Sequence, residues 1–130
     1  MKVAIVYATT TGNTEQLANA LKASAPDSYF STADSADANE VLAADLILLG
    51  SPVMGAEQLE DSMESFFSSI EGSLSGKTVG LFGSYDWGDG QMFRDWSDRV
   101  TAAGATVKGV VMAQLAPSDE SLEEVKKLLN

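Results

Sequence analysis

The chain alternates between short runs of apolar residues and longer amphipathic stretches. The apolar runs predict five strands, at residues 2–8, 28–32, 45–51, 77–84 and 106–113. The stretches between them predict five helices, at residues 13–24, 37–43, 57–71, 91–103 and 118–129. Several runs are apolar at every position, which is typical of strands that are covered on both faces in a parallel sheet.

This regular alternation also predicts the fold class. Parallel strands joined by right-handed crossovers carry helices on both faces of their sheet. We therefore predict an α/β fold, a doubly wound five-stranded parallel sheet in a single domain of residues 1–130. Ligands of such sheets bind beyond the carboxyl ends of the strands, so the loops at 8–14, 51–58 and 83–91 are candidates for a site.

Local signals predict where individual helices begin and end. Asn13 or Thr14 is expected to cap the first helix, and Ser118 the last, because short polar side chains accept from free N–H groups there. Gly72 and Gly104 are expected to end the third and fourth helices.

The first loop has the composition of a phosphate site. It consists of Thr9, Thr10, Thr11, Gly12, Asn13 and Thr14. The first N–H groups of a helix have no partner within it, and the helix dipole is positive at that end. Hydroxyl and amide side chains add donors, and glycine lets the backbone approach an anion. Capping of the helix alone also explains such a cluster, so phosphate binding is a hypothesis at this point.

The other two loops offer surfaces for a flat ligand. The second contains Pro52, Val53, Met54, Gly55, Ala56 and Glu57, and the third contains Ser84, Tyr85, Asp86, Trp87, Gly88 and Asp89. A thioether and large aromatic rings beyond strand ends are suited to stack on a planar molecule. The alternatives are that the methionine fills a packing gap and that the aromatic residues cover a helix edge.

The amino-acid composition excludes several kinds of catalytic and metal-binding site. Cysteine and histidine are both absent, which excludes disulfides, thiolate metal sites, cysteine nucleophiles and histidine-based triads. We predict no metal site and no catalytic residues of the chain's own. Its chemistry, where it has any, comes from a cofactor.

Charge narrows the partners. Nineteen acidic residues against eight basic ones give a formal charge of −11. Such a charge repels nucleic acid and anionic membranes and favours basic proteins, although solubility alone also explains many acidic chains. No apolar run approaches the roughly 20 residues that span a bilayer, and the start shows no signal-peptide pattern. We therefore expect a cytoplasmic monomer.

The three loops together resemble those of flavodoxins, small electron carriers that bind FMN. The resemblance extends over the whole chain and is sharpest in three motifs: Thr9-x-Thr11-Gly12-Asn13-Thr14, Pro52-x-Met54-Gly55-x-Glu57 and Gly83-Ser84-Tyr85-x-Trp87-Gly88-x-Gly90. It implies the strand order 2-1-3-4-5 and a low-potential one-electron carrier without substrate turnover. The uninterrupted last strand, Thr106 to Leu115, is similar to that of the short-chain subgroup.

The resemblance also implies a role for each loop. Residues 9–14 would hold the FMN phosphate without a Lys or Arg, with Ser84 near it. Met54 and Trp87 would cover the two faces of the flavin ring. Glu57 would accept from flavin N3–H, backbone groups of residues 86–88 would reach the pyrimidine end, and Gln114 is a weaker candidate for a ribityl contact.

Three positions depart from the family's pattern. In the family the carbonyl of Gly55 turns toward flavin N5 on one-electron reduction, which requires positive φ at Ala56. Relatives often have Gly, Asn or Asp there, and alanine should resist by about 1 kcal/mol. Asp86 and Thr10 also stand where glycine is common, and Thr10 is expected to tighten the phosphate loop.

Acidic residues crowd the two ring-binding loops. They are Glu57, Glu60, Asp61, Glu64, Asp86 and Asp89. Their charge should oppose full reduction to an anionic flavin and lower that potential. Most of these residues lie on the predicted helix 57–71. They also predict docking of basic redox proteins, although a solvated helix face explains most charge runs.

Three alternatives of other kinds were weighed. A phosphoryl-accepting receiver domain needs acidic residues after strands one and three, where this chain has Ala8-Thr9 and Ser51-Pro52. An FMN-dependent quinone reductase would need a nicotinamide site, and no motif for one is present. A flavodoxin-like activator of ribonucleotide reductase differs only in its partner, so it stays open.

Overall fold

The computed structural model describes residues 1–130 and contains six strands and five helices. The strands are β1 (Val3–Tyr7), β2 (Tyr29–Thr32), β3 (Leu46–Met54), β4 (Gln58–Leu59), β5 (Thr78–Tyr85) and β6 (Thr106–Gln114). The helices are α1 (Asn13–Ser24), α2 (Ala38–Leu42), α3 (Asp61–Ile70), α4 (Gln91–Ala102) and α5 (Asp119–Lys126). Short 3-10 turns follow α3 and α5, at Glu71–Ser73 and Lys127–Leu129.

The sheet confirms the predicted fold class and strand order. Five parallel strands lie in the order β2-β1-β3-β5-β6, which is the predicted 2-1-3-4-5 once the extra strand is counted. That extra strand, β4, has two residues and pairs antiparallel with the end of β3. This strand was not predicted, because two residues carry no periodic pattern.

Both faces of the sheet are covered, as the continuous apolar runs predicted. Successive residues of β1 alternate between two cores: Ala4 and Val6 belong to a cluster of 21 buried residues, and Ile5 and Tyr7 to a cluster of 11. The larger cluster packs α2, α3 and α4 on one face, and the smaller packs α1 and α5 on the other. Because the five long strands are parallel, their carboxyl ends all lie on one side of the sheet, which we call the carboxyl edge, and the three candidate loops share it.

The helix ends correct some predictions. Gly12, not Asn13 or Thr14, is the N-cap of α1, and no side chain caps it. Gly104 does end α4 with φ +90°, whereas Gly72 lies inside a 3-10 turn and has no positive φ. Ser118 caps α5 as predicted, through a reciprocal capping box with Ser121.

The predicted helix over 57–71 begins four residues late. The backbone turns through positive φ at Gly55 (+45°) and Glu57 (+58°), and pairing of β4 with β3 holds the next two residues extended. Helix α3 starts at Asp61, and the carboxylate of Glu60 caps it by accepting from two N–H groups of the first turn. Glu57 therefore lies on a turn, and the prediction that placed it on the acidic helix was wrong.

The last strand runs without an insertion, as predicted, from Thr106 to Gln114. One bulge interrupts its register, where Val79 and Gly80 of β5 pair with Val107 and Gly109 and leave Lys108 unpaired. No helix has the length and apolar character that a bilayer crossing requires.

Candidate functional site

The three predicted loops meet at the carboxyl edge of the sheet, because β1, β3 and β5 are direct neighbours. They enclose an open groove of about 220 Å³, which we call the rim groove. Its lining consists of Thr10, Thr11, Pro52, Val53, Met54, Gly55, Ser84, Asp86 and Trp87. All nine of these residues are among the predicted site residues.

The other predicted residues surround the rim groove without lining it. They are Thr9, Gly12, Asn13, Thr14, Ala56, Glu57, Tyr85, Gly88 and Asp89. They belong to the same three loops at the carboxyl edge of the sheet.

The first loop is built around Gly12. Its φ of +90° requires glycine for conformational reasons, since an added Cβ would meet nothing within 4 Å. The backbone N–H of Gly12 donates to Thr9 Oγ1 at 3.0 Å, which closes the loop on itself. The hydroxyl hydrogen of Thr9 remains free to donate to a bound group.

The N-terminus of α1 opens onto this loop. The first helical bond runs from the N–H of Gln16 to the carbonyl of Gly12, so Asn13, Thr14 and Glu15 have no acceptor within the helix. One acidic side chain is close by: the Tyr7 hydroxyl donates to Glu15 Oε2 at 3.1 Å. Burial, followed by the bond and charge of Glu15, raises the pKa of Tyr7, so this hydroxyl stays protonated as a donor.

Thr14 faces the interior rather than the loop surface. It is fully buried, and its hydroxyl lies 2.9 Å from that of Ser84, which is also buried. This bond joins the first turn of α1 to the end of β5. It fixes the first loop against the third, because Ser84 also lines the rim groove.

Two large apolar side chains are exposed at the groove. Met54 is 37% exposed and Trp87 is 65% exposed, although both belong to residue types that usually lie inside. Behind them, the Gln114 amide donates to the carbonyl of Asp86 at 3.3 Å and so ties the third loop to β6.

Glu57 is held against the third loop. The backbone N–H of Met92, in the first turn of α4, donates to Glu57 Oε1 at 3.3 Å. A Cβ on Gly88 would stand 2.7 Å from Glu57 Oε2, so the carboxylate lies directly over that glycine. Glu57 was predicted as a site residue, but the role of Met92 was not, since a backbone donor leaves no signal in the type of its side chain.

Half of the acidic residues predicted to act near the ring loops are engaged elsewhere. Asp89 pairs with Arg94 at 3.0 Å, Glu64 pairs with Arg99 at 2.8 Å, and Glu60 caps α3. Bonding from Arg99 lowers the pKa of Glu64. Asp61 and Asp86 are exposed and form no ion pair, and of the two only Asp86 lines the rim groove.

A sequence model of the flavodoxin family, described as "Flavodoxin", matches residues 5–127. The chain belongs to the flavodoxin family. Flavodoxins are electron-transfer proteins that bind FMN and work with redox partner proteins.

Individual flavodoxins resemble the chain over nearly its full length. The flavodoxin of Megasphaera elsdenii is 43% identical across 97% of this chain and 94% of its own. That of Clostridium beijerinckii is 38% identical across 97% of this chain and 98% of its own. The solution structure of two-electron reduced Megasphaera elsdenii flavodoxin superimposes with a TM-score of 0.87 at 40% identity, covering 97% of each chain.

The residues of the rim groove fit the chemistry of FMN. Free helix N–H groups and threonine hydroxyls at one end suit a phosphate, and none of the lining residues is a Lys or Arg. The exposed thioether of Met54 and indole of Trp87 suit the apolar faces of a flavin. The donor set therefore agrees with the cofactor of flavodoxins.

Proposed function

We propose that this chain is a low-potential one-electron carrier that binds one FMN in the rim groove and passes electrons between redox proteins. When bound, FMN supplies the one-electron redox chemistry, and the chain supplies anchoring, orientation and charge. One observation carries the proposal: every residue that lines the groove comes from the three motif loops, with donors at one end and exposed apolar side chains at the other.

Residues 9–14 anchor the phosphate in this proposal. The N–H groups of Asn13, Thr14 and Glu15 and the hydroxyls of Thr9, Thr10 and Thr11 are the donors that the geometry leaves available. Thr14 contributes through Ser84, by holding the loop in place. Because no cationic side chain lines the groove, the charge of the phosphate is not neutralised by an ion pair.

Met54 and Trp87 cover the flavin faces, while Glu57 and the backbone of residues 86–88 receive its pyrimidine end. The bond from Met92 holds the Glu57 carboxylate beside Gly88, where it is ready to accept a ring N–H. The rim groove, at about 220 Å³, is smaller than the roughly 300–1,000 Å³ of enclosing ligand pockets. A ring bound there keeps an edge open to solvent, which shortens the distance for electron transfer to a docked partner.

The charges around the groove set the direction of the redox tuning. Asp61 and Asp86 carry no ion pair, and each opposes the gain of negative charge on the ring. At a separation of about 10 Å and an effective dielectric near 40, one such charge costs on the order of 0.8 kcal/mol before salt screening. Together with the phosphate, these charges lower the potential of the last reduction step.

The same charges select the partners. A formal charge of −11 steers basic redox proteins toward the chain and opposes self-association, which supports a monomer. We also extend to this chain the expectations of a cytoplasmic location and of one domain over residues 1–130.

An absorbance spectrum with cofactor extraction tests the proposal. We expect visible flavin bands and about one FMN per chain, and a reductive titration should place the last reduction step at low potential. A basic cytochrome as electron acceptor should be reduced more slowly as salt rises, because screening weakens docking. A preparation that does not bind added FMN would overturn the proposal. Turnover of NAD(P)H with a quinone would show an enzyme instead.

A further inference from the structure

A second groove runs between α3 and α4, below the turn that carries Glu57. We call it the α3/α4 groove; its volume is about 320 Å³ and it shares no lining residue with the rim groove. Leu59, Met92 and Trp96 form an apolar floor, and all three are buried. Of its lining residues, the flavin-binding proposal uses only Glu57, as an acceptor for a ring N–H, and Asp61, as a negative charge.

The lower part of the groove is closed by an ion pair between the two helices. Arg99 of α4 donates to Glu64 of α3 at 2.8 and 3.0 Å and to Glu71 at 3.0 Å. Its guanidinium also stacks 4.8 Å from the ring centre of Phe67. The one cation of the groove is therefore matched by carboxylates of the fold and is not available to an outside anion.

The upper part of the groove holds carboxylates without a cation. Glu57, Asp61 and Asp95 line it, and none of them forms an ion pair. Asp95 accepts only from the neutral amide of Gln91, and Glu57 only from the backbone of Met92. Three carboxylates thus stand around an apolar floor with no positive partner.

The floor also contains a donor without an acceptor. Trp96 is 1% exposed, and its indole N–H is buried without a hydrogen-bond partner. Leaving such a group unpaired costs about 1–3 kcal/mol, so a ligand that brings an acceptor would be favoured. These features of the groove therefore fit a ligand that carries both a positive group and a hydrogen-bond acceptor, with apolar surface between them.

We propose that the α3/α4 groove is the anchor pocket for an arginine side chain of the basic redox partner. An arginine matches each feature: its aliphatic stem packs on the apolar floor and its planar guanidinium forms paired bonds with carboxylates. The peptide carbonyl of the same segment is an acceptor for the Trp96 indole N–H once the side chains that cover this buried group move aside. Arginine is favoured over lysine because a guanidinium is less strongly hydrated and stacks on aromatic rings.

The pocket is placed to serve electron transfer. Glu57 lines the α3/α4 groove and also lies over Gly88 of the third loop, so an arginine seated here is one side chain away from the flavin edge. This inference rests on the proposed function for the identity of the partner as a redox protein. The binding of arginine itself does not depend on electron transfer and is measured separately.

The FMN-loaded protein, labelled with ¹⁵N, tests the pocket by NMR. The chain has two tryptophans, so the indole N–H signal of Trp96 is one of two and is assigned from a Trp87→Phe sample. Titration with Nα-acetyl-arginine amide should shift the Trp96 signal saturably. The neutral isostere Nα-acetyl-citrulline amide should bind at least threefold more weakly.

Matched variants separate the pocket from general charge attraction. Asp61→Asn should weaken arginine-amide binding about threefold, whereas Asp27→Asn, an exposed acid on a different cavity, should leave it unchanged. An unmoved Trp96 signal, an equal response to citrulline amide, or equal weakening in both variants would overturn the inference. Visible flavin absorbance of the same samples reports FMN binding, so a failure of the cofactor proposal is seen apart from a failure of the arginine pocket.

Discussion

At the scale of single residues, the site depends on bonds that lie behind the groove as much as on its lining. Thr14 was predicted to be a donor of the phosphate loop, yet its hydroxyl is buried against Ser84, 70 positions later in the chain. The local pattern of hydroxyl residues locates the loop correctly. It does not distinguish side chains that face the loop from those that hold it, because that depends on which strand lies beside it.

The Thr14–Ser84 bond gives the first prediction. Thr14→Val keeps the side-chain volume but leaves the Ser84 hydroxyl buried without its partner, so the free energy of unfolding should fall by about 1–3 kcal/mol. The double variant Thr14→Val with Ser84→Ala removes both groups and should recover part of that loss. Urea unfolding of the apoprotein measures both values, and additive losses would contradict a direct bond.

Ala56 gives the second prediction. In this structure the turn has positive φ at Gly55 and Glu57 but not at Ala56. A carbonyl turned toward the flavin would require positive φ at Ala56, which Gly tolerates and Ala resists by about 1 kcal/mol. Ala56→Gly should therefore increase the formation constant of the one-electron reduced flavin by up to about fivefold. A redox titration measures this as a higher yield of that species.

A matched variant makes this test specific to the backbone. Ala56→Ser changes the polarity of an exposed side chain but keeps its Cβ, so it should leave the yield as it is. An equal rise in both variants would point to side-chain polarity, and no rise in either would remove Ala56 as a constraint on the turn.

At the scale of elements, the sequence predicted the long segments well and their ends less well. All five parallel strands were predicted, most strongly β1, β3 and β5, where burial on both faces leaves a continuous apolar run. The pattern of β2 is weak, because it has two apolar residues and is only half-buried. Helix α3 was predicted to begin four residues too early. The apolar residues fit a helical pattern from residue 57 onward, but Glu57 has positive φ, a conformation that favours glycine and that the pattern does not indicate. The two-residue β4 was not predicted, because it carries no pattern. Its pairing with β3 positions Leu59, which forms part of the floor of the α3/α4 groove.

Two glycines predicted to end helices give the third prediction. Gly104 has φ +90°, and a Cβ there would lie 3.1–3.3 Å from atoms of Ser75, so Gly104→Ala should lower the free energy of unfolding by about 1–2 kcal/mol. Gly72 has no positive φ and no atom within 4 Å of an added Cβ. Gly72→Ala should be neutral or stabilise by up to about 1 kcal/mol, and equal effects of the two in thermal unfolding would contradict this account.

At the scale of the whole molecule, some carboxylates are held in ion pairs or helix caps and others are not. The sequence alone does not show this division. Glu64 is nine residues after Gly55 and 35 before Arg99, and only the packing of α3 against α4 joins it to that guanidinium. The predicted acidic face is therefore partly a set of structural ion pairs. The charges left for the flavin and for partners are therefore fewer than the sequence indicates.

The Arg99 pairs give the fourth prediction. Bonding from Arg99 lowers the pKa of Glu64 below its usual value of 4.5, so the stabilisation is present above that value and is lost as pH falls through the lowered pKa. Glu64 is 46% exposed, which limits the effect to about 1 kcal/mol. Glu64→Gln should therefore be destabilising at pH 7 and nearly neutral in acid, while exposed Glu40→Gln should show no such pH dependence in urea unfolding.

The two carboxylates without an ion pair, Asp86 at the rim groove and Asp61 at the α3/α4 groove, give the last prediction. Asp61→Asn and Asp86→Asn each remove a charge that opposes the full reduction of a nearby flavin, so each should raise that potential by on the order of 30 mV at low salt. The rise should shrink as ionic strength increases, because the Debye length falls to about 8 Å at 0.15 M. The pair Asp27→Asn and Glu40→Gln changes net charge equally but lies around a cavity beside Lys2, before the amino end of β1. Equal shifts from both pairs would assign the tuning to net charge, and no shift from Asp61 and Asp86 would leave the phosphate and the apolar stacking as its cause.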